Sequence, residues 1–156
     1  MKKYFYTLIS LFLFSIFYNA QEKIILSFQT KSGKTMKLTI RQKDSALIYR
    51  LYNKDKIELQ FPKNPSFSEN KNFSFSYLNR AGGNINEAIS LYRVEFFINN
   101  YRYSVFQSNY LEKNETGISV LDLNNSKVTD ITAVEKTVRG NLLYFKDNQL
   151  IAITEL

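Results

Sequence analysis

Ser32-Gly33-Lys34-Thr35 carries the G-K-T ending of a phosphate-binding loop. Such a loop needs a glycine five residues before Gly33, where Phe28 stands, and a following helix whose N–H groups cradle the phosphates. The residues after Thr35 alternate like a strand, so the tetrapeptide reads as a hairpin tip. Ser68-Glu69-Asn70-Lys71 has the S-x-x-K spacing in which a lysine activates a serine, but the S-D-N and K-T-G companions of that chemistry are missing. Asp122, Asn124 and Ser126, with Asp130 beyond, have the spacing of a calcium loop. Lys127 and Ala133 stand where that loop needs Gly and Glu, and Asx-type turns use the same spacing. Paired carboxylates can cleave a glycoside without histidine. Glu58, Glu95, Asp122 and Asp130 are candidates, though nothing marks two of them as neighbours. The chain has no His and no Cys. That removes the commonest general base, thiolate nucleophiles, thiolate metal sites and disulfides. No catalytic residue, metal site or cofactor is assigned, and a non-catalytic protein is expected.

Binding chemistry is more visible. Residues 91–98 and 101–111 form the strongest strand pair, joined at Asn99-Asn100, a pair suited to a two-residue type I′ turn. That register sets Ile98 opposite Tyr101, Phe96 opposite Tyr103, Val94 opposite Val105 and Tyr92 opposite Gln107. The outward face then places Phe97 beside Arg102 and Arg93 beside Phe106, close enough for cation–π contacts. Aromatic and Arg side chains dominate binding hot spots. Arg93, Phe97, Arg102 and Phe106 are therefore the candidate contacts, with Arg80, Gly82 and Gly83 presenting backbone nearby. The competing reading is that a second layer covers this face and makes Phe97 and Phe106 core.

The elements that position these residues read as β throughout. Short apolar runs rich in Tyr, Phe, Ile, Thr and Val recur about every ten residues between Gly, Asn, Asp and Lys. Ile24, Leu26 and Phe28 are expected opposite Ile40, Leu38 and Met36 across a loop at Lys31-Ser32-Gly33, with Gly33 in the left-handed position. Leu47, Tyr49 and Leu51 are expected to face Ile57, Leu59 and Phe61 across Asn53-Lys54-Asp55, with Pro62 and Pro65 ending the strand. Residues 66–72 read as a mobile polar segment. Phe73, Phe75 and Tyr77 form the next strand. Residues 112–116 read as a charged loop, and Ile118, Val120 and Leu123 as a strand turned by Asn124-Asn125. Leu150 to Ile153 reads as a closing strand. The expected class is all-β: eight or nine mostly antiparallel strands in a sandwich or closed barrel. At most one short helical turn is expected, near 141–147, capped by Asn141.

Residues 1–20 have the layout of a signal peptide: Lys2 and Lys3, an apolar run over 4–18, and the small residue Ala20 before Gln21. Tyr18 departs from the usual small residue. The run is shorter than the roughly 20 residues that span a bilayer, so cleavage is expected, and membrane association only if the segment stays attached. The remaining residues, 21–156, read as a single β domain, periplasmic or extracellular. The net charge of +7 falls by two with Lys2 and Lys3. The remaining Lys and Arg are interleaved with acids, which argues against nucleic acid. The sequons at Asn72, Asn114 and Asn124 read as turn asparagines.

Within residues 56–107, KIELQFP (56–62), FSYLNRAGG (75–83) and VEFFINNYRYSVFQ (94–107) resemble small secreted proteins of Gram-negative bacteria whose function is uncharacterised. In size, address and strand content the chain is also similar to periplasmic lysozyme-inhibitor-type β domains. That similarity is one of class and supplies no inhibitor motif. The leading expectation, from the residues, is a non-catalytic exported binding domain of inhibitor or immunity type, with a protein or glycan of the cell envelope or exterior as partner. Two alternatives stay open. One is a barrel holding a small apolar ligand between inward Tyr92, Tyr101 and Tyr103; the other is a carboxylate-dependent hydrolase.

Overall fold

The computed structural model describes residues 21–82, 88–110 and 113–154. The segment read as a signal peptide lies outside them. Eleven strands among the described residues form two sheets packed face to face, so the chain is a β-sandwich and not a closed barrel. The first sheet is a meander of β1 (Glu22–Gln29), β2 (Thr35–Arg41), β3 (Ala46–Asn53) and β4 (Lys56–Phe61). The second is a meander of β5 (Phe73–Arg80), β6 (Ile89–Ile98), β7 (Tyr101–Tyr110), β8 (Lys113–Asp122) and β9 (Lys127–Thr132). The C-terminal segment then adds a strand to each. β10 (Arg139–Gly140) pairs with β1, and β11 (Ala152–Thr154) runs parallel to β5. β11 is the closing strand expected at 150–153, shifted to 152–154, whereas β10 was not expected, and the total exceeds the expected eight or nine. Lys113 to Thr116 pair with Tyr110 to Gln107, so the expected charged loop is the start of β8.

Hairpin chemistry sets the registers. Thr30 N–H donates to Lys34 O and Gly33 takes φ +84°, closing the three-residue loop that pairs Phe28 with Met36 and Leu26 with Leu38. A bulge between Ile24 and Leu26 breaks the alternation beyond that point. An extra residue shifts every later side chain to the other face, so Ile25 enters the core and Ile24 is left exposed. The second hairpin departs from its expected register. A two-residue turn and a bulge at Leu51/Tyr52 pair Leu51 with Leu59 and Tyr49 with Phe61, where a three-residue loop would have paired Leu51 with Ile57 and Tyr49 with Leu59. Ile57 is left exposed against Tyr52. The turn there is Lys54-Asp55, closed by Asn53 and Lys56. The Asn99-Asn100 turn holds its full register, but only Asn99 takes positive φ (51°), which departs from type I′.

Among the described residues three 3-10 turns occur where at most one was expected: Phe67–Asn72, Glu135–Thr137 and Leu142–Phe145. The last is capped as expected, with Asn141 accepting from Leu143 N–H at 2.7 Å, and it buries Leu142 and Phe145. The first corrects the reading of residues 66–72 as a mobile segment. Asn70 is buried there, accepting from Leu47 N–H (2.8 Å) and donating to Ser45 O (2.9 Å). β4 stops at Phe61, short of Leu47, so an amide side chain serves the backbone in place of a neighbouring strand. Gly140 has φ +88°, and a Cβ there would lie 2.0 Å from Ile25 O, so only glycine lets β10 reach β1.

On the outer face of the first sheet, Glu22 accepts from Arg50 Nη1 (2.7 Å) and Thr39 Oγ1 (2.9 Å) over the buried Ile48. Burial works against its charge, yet these donors hold its carboxyl below the usual glutamate range. Arg41 and Asp44 form a two-bond ion pair nearby (2.9 and 2.6 Å).

Two outcomes are expected. Asn70→Ala leaves Leu47 N–H buried without an acceptor and should cost about 1–3 kcal/mol in denaturant unfolding. The unfolded chain protonates Glu22 more readily than the folded one. Its contribution is therefore full above the ordinary glutamate range and lost as pH falls through the lower folded value. Thermal unfolding followed against pH should show stability falling below about pH 4, with a shallower fall in Glu22→Gln.

Candidate functional site

The outer face of the second sheet brings together the residues singled out above. Alternation along β6 sends Phe96 and Val94 inward and Arg93, Glu95 and Phe97 outward. Phe97 lies opposite Arg102 and Arg93 opposite Phe106, as the register required. The neighbouring strands extend the rows. Ser76, Arg93, Phe106, Gly117 and Thr132 form one; Ser74, Glu95, Ser104, Ser119 and Asp130 the next; Phe97, Arg102, Leu121 and Val128 a third. No described residue covers Phe97, which is 54% exposed, or Val128, at 55%. The face is open, and the reading of Phe97 as second-layer core does not hold.

Phe106 is half-buried for a local reason. Gly117 lies across from it, and a Cβ at Gly117 would meet the Phe106 ring at 3.0 Å and Ile131 O at 2.7 Å. The missing side chain lets the ring lie flat on β8.

The two guanidiniums share one carboxylate. Arg93 Nη1 lies 4.0 Å and Arg102 Nε 3.7 Å from Glu95 Oε1, which also accepts a 2.5 Å hydrogen bond from Ser104 Oγ. Glu95 is the most enclosed of the three, with its side chain 18% exposed. The cation–ring contacts among the described residues lie elsewhere, at Lys23–Tyr144, Lys37–Tyr52 and Lys146–Tyr77. At the candidate face a carboxylate within reach outcompetes the ring quadrupole for the charge. The Nε atoms of Arg93 and Arg102 are buried without a hydrogen-bond partner. One carboxylate for two guanidiniums leaves a net positive, under-satisfied cluster inside an apolar rim.

Arg80 faces the same side, but four residues along β5 from Ser76, or about 13 Å at strand spacing. It belongs to the border with Ile89, Tyr110 and Lys113. Gly82 follows the end of β5, and Gly83 lies outside the described residues. Sequence reading missed Gly117, Leu121 and Val128. Carrying the 91–111 register one strand further would have found the first two, had residues 112–116 been read as strand.

The other chemistries do not assemble. Glu58 pairs with Lys34 (2.5 Å) on β4, and Asp122 accepts from Asn124 N–H (2.9 Å) and both Asn124 and Asn125 amides as an Asx turn. Asp130 is exposed on β9, so the four carboxylates do not converge. Among the described residues no cluster of His, Cys, Asp or Glu could hold a metal ion. The barrel reading fails with the fold. Tyr103 stacks on Phe96 (5.2 Å, 4°), Tyr101 is exposed, and Tyr92 borders a polar cleft.

Glu95→Gln removes the carboxylate common to both guanidiniums. It should lower unfolding stability by about 1–2 kcal/mol, between the values for exposed and buried pairs, with the difference narrowing as salt rises. Urea denaturation at two ionic strengths checks both. No family model, no curated protein and no solved structure matches the chain.

Proposed function

We propose that this chain is an exported, non-catalytic binding domain, and that the outer face of its second sheet docks a protein of the cell envelope or exterior. An inhibitor or immunity-type role fits that reading. The signal-like layout of residues 1–20 supports export. The observation that carries the docking reading is exposed Phe97 beside Arg102 in a cluster where Glu95 answers two guanidiniums. An exposed aromatic anchor next to partly desolvated Arg is the composition of a binding hot spot.

The partner is argued from charge and area. A carboxylate presented among apolar side chains would meet the accessible end of the Arg102 guanidinium, whose side chain is 40% exposed. Five strands of the outer face, at ordinary spacings, span roughly 20 Å by 30 Å. That approaches the ~800 Å² per partner of a standard protein interface. A broad open face suits a protein surface better than a narrow crevice does.

The test uses the full chain, expressed with export, beside Phe97→Ala and Arg102→Ala. Mass spectrometry should find Gln21 at the N-terminus of the mature protein; an intact residue 1 would overturn export by cleavage. A protein captured from envelope or culture fractions should bind both variants at least ~30-fold more weakly, the loss expected of hot-spot residues. Circular dichroism should show the fold intact. Equal binding by wild type and variants overturns the site. Capture that survives protease treatment of the fractions overturns a protein partner in favour of a glycan.

A further inference from the structure

The inner face of the second sheet changes character along its length. Midway it is apolar: Val94, Phe96, Val105 and Ile118 are fully buried against the first sheet. Further along, the same alternation places Ser90, Tyr92, Gln107, Asn109, Asn114 and Thr116 inward. Inner rows of a sandwich are ordinarily apolar because the facing sheet covers them. Here the cover is the crossover that leaves β9. Thr30 bridges Ala133, Val134 N–H donates to Gln29 O, and the chain passes Val138 on its way to β10. Between that crossover and the polar rows is a cleft of about 780 Å³, within the usual range of ligand sites.

We propose that this cleft binds a neutral, hydroxyl-rich ligand, a saccharide, on the amide side chains of β7 and β8 beside the Tyr92 ring. The amides are held in place and only half used. Gln107 Oε1 accepts from Leu142 N–H at 2.7 Å, which fixes the orientation of the amide and leaves both Nε2 protons without a partner among the described residues. Asn109 Nδ2 donates to Asn114 Oδ1 at 2.8 Å, leaving one amide carbonyl and one amide NH₂. Each hydroxyl of a sugar both donates and accepts, so a site offering fixed donors and acceptors together matches it. Tyr92 packs against the core cluster and borders the cleft. Its ring supplies a flat apolar surface for the C–H face of a sugar.

Charge and topology select against other ligands. Of the charged residues bordering the cleft, Lys31 and Glu135 come from the first hairpin loop and the crossover, while Lys113 and Glu115 alternate to the outer side of β8. Lys113 and Glu115 pair with each other at 2.6 Å. The lining is therefore balanced and favours no ion. An extended peptide is recognised chiefly by main-chain groups of a sheet edge. Here β6, β7 and β8 are interior strands whose backbones are committed to their ladders. This site lies on the opposite side of those strands from Phe97 and Arg102, and it does not rest on the docking reading above.

The test is a titration of the isotopically labelled full chain with maltotetraose, cellotetraose and chitotetraose, followed by amide chemical shifts up to about 10 mM, above the ~1 mM at the weak end of specific affinity. At least one should bind, with shifts confined to the rows of Ser90, Tyr92, Gln107 and Asn114. Asn114→Ala, at an exposed position that should leave the fold intact, should weaken binding at least tenfold, as should Gln107→Ala. Phe97→Ala should leave it unchanged. Absence of binding by all three, binding unaffected by Asn114→Ala, or preference for a sulfated tetrasaccharide over these neutral ones would overturn the proposal.

Discussion

The ring of Phe96 holds the two sheets together, and the rest of the structure depends on that contact. From the first sheet, Tyr49 packs on it at 4.8 Å and Phe61 stacks on it at 4.8 Å with planes 13° apart. From its own sheet, Tyr103 stacks at 5.2 Å and Phe73 meets it edge-on at 5.4 Å. Such pairs contribute roughly 0.5–1.5 kcal/mol each beyond the burial of their area. Their larger effect is on register. A one-residue slip of β6 would replace Phe96 in the core by Glu95 or Phe97 and move every neighbour to the wrong face. Burial also pushes the Tyr49 hydroxyl well above the ordinary tyrosine range, so this ring stays neutral in the core.

That register fixes both surfaces of the second sheet at once. With Phe96 inward, Arg93, Glu95 and Phe97 must face out, and β7 and β8 follow through unbroken pairing from Ile98–Tyr101 to Tyr110–Lys113. The outer face becomes an open aromatic and guanidinium surface. The inner face becomes apolar where the first sheet lies over it and polar where only the crossover does. Both candidate sites therefore sit on a rigid scaffold of long strands, where side-chain positions are better determined than on loops.

The first sheet solves a different problem. Its outer face carries a polar network in which Glu22, Thr39 and Arg50 satisfy one another over Ile48. Its join to the second sheet relies on Asn70 to complete the hydrogen bonding of β3. Of the four edge strands, β10 and β11 are very short, and the longer β4 and β9 carry Lys56, Glu58, Lys127 and Asp130. Short edges and charge along an edge both discourage pairing with another chain.

The all-β class, the Gly33 loop, the Asn99-Asn100 hairpin and the facing of Phe97 on Arg102 were legible in the sequence, because each follows from period-two alternation and local turn chemistry. Other features were not. Ile24 was expected inward, and the bulge that exposes it leaves the apolar pattern IIL unchanged. Gly117 and Gly140 read as ordinary glycines until Phe106 and Ile25 are found against them. The choice of sandwich over barrel rests on which strands lack a partner, a long-range matter that local pattern does not encode. Glu95 was one carboxylate among four until the fold set two guanidiniums beside it. Sequence by itself determined which residues alternate and where the chain turns, since those preferences act over a few residues. Only the tertiary structure decided which faces are covered, which charges meet and where a cleft opens, since these depend on contacts between segments far apart in the chain.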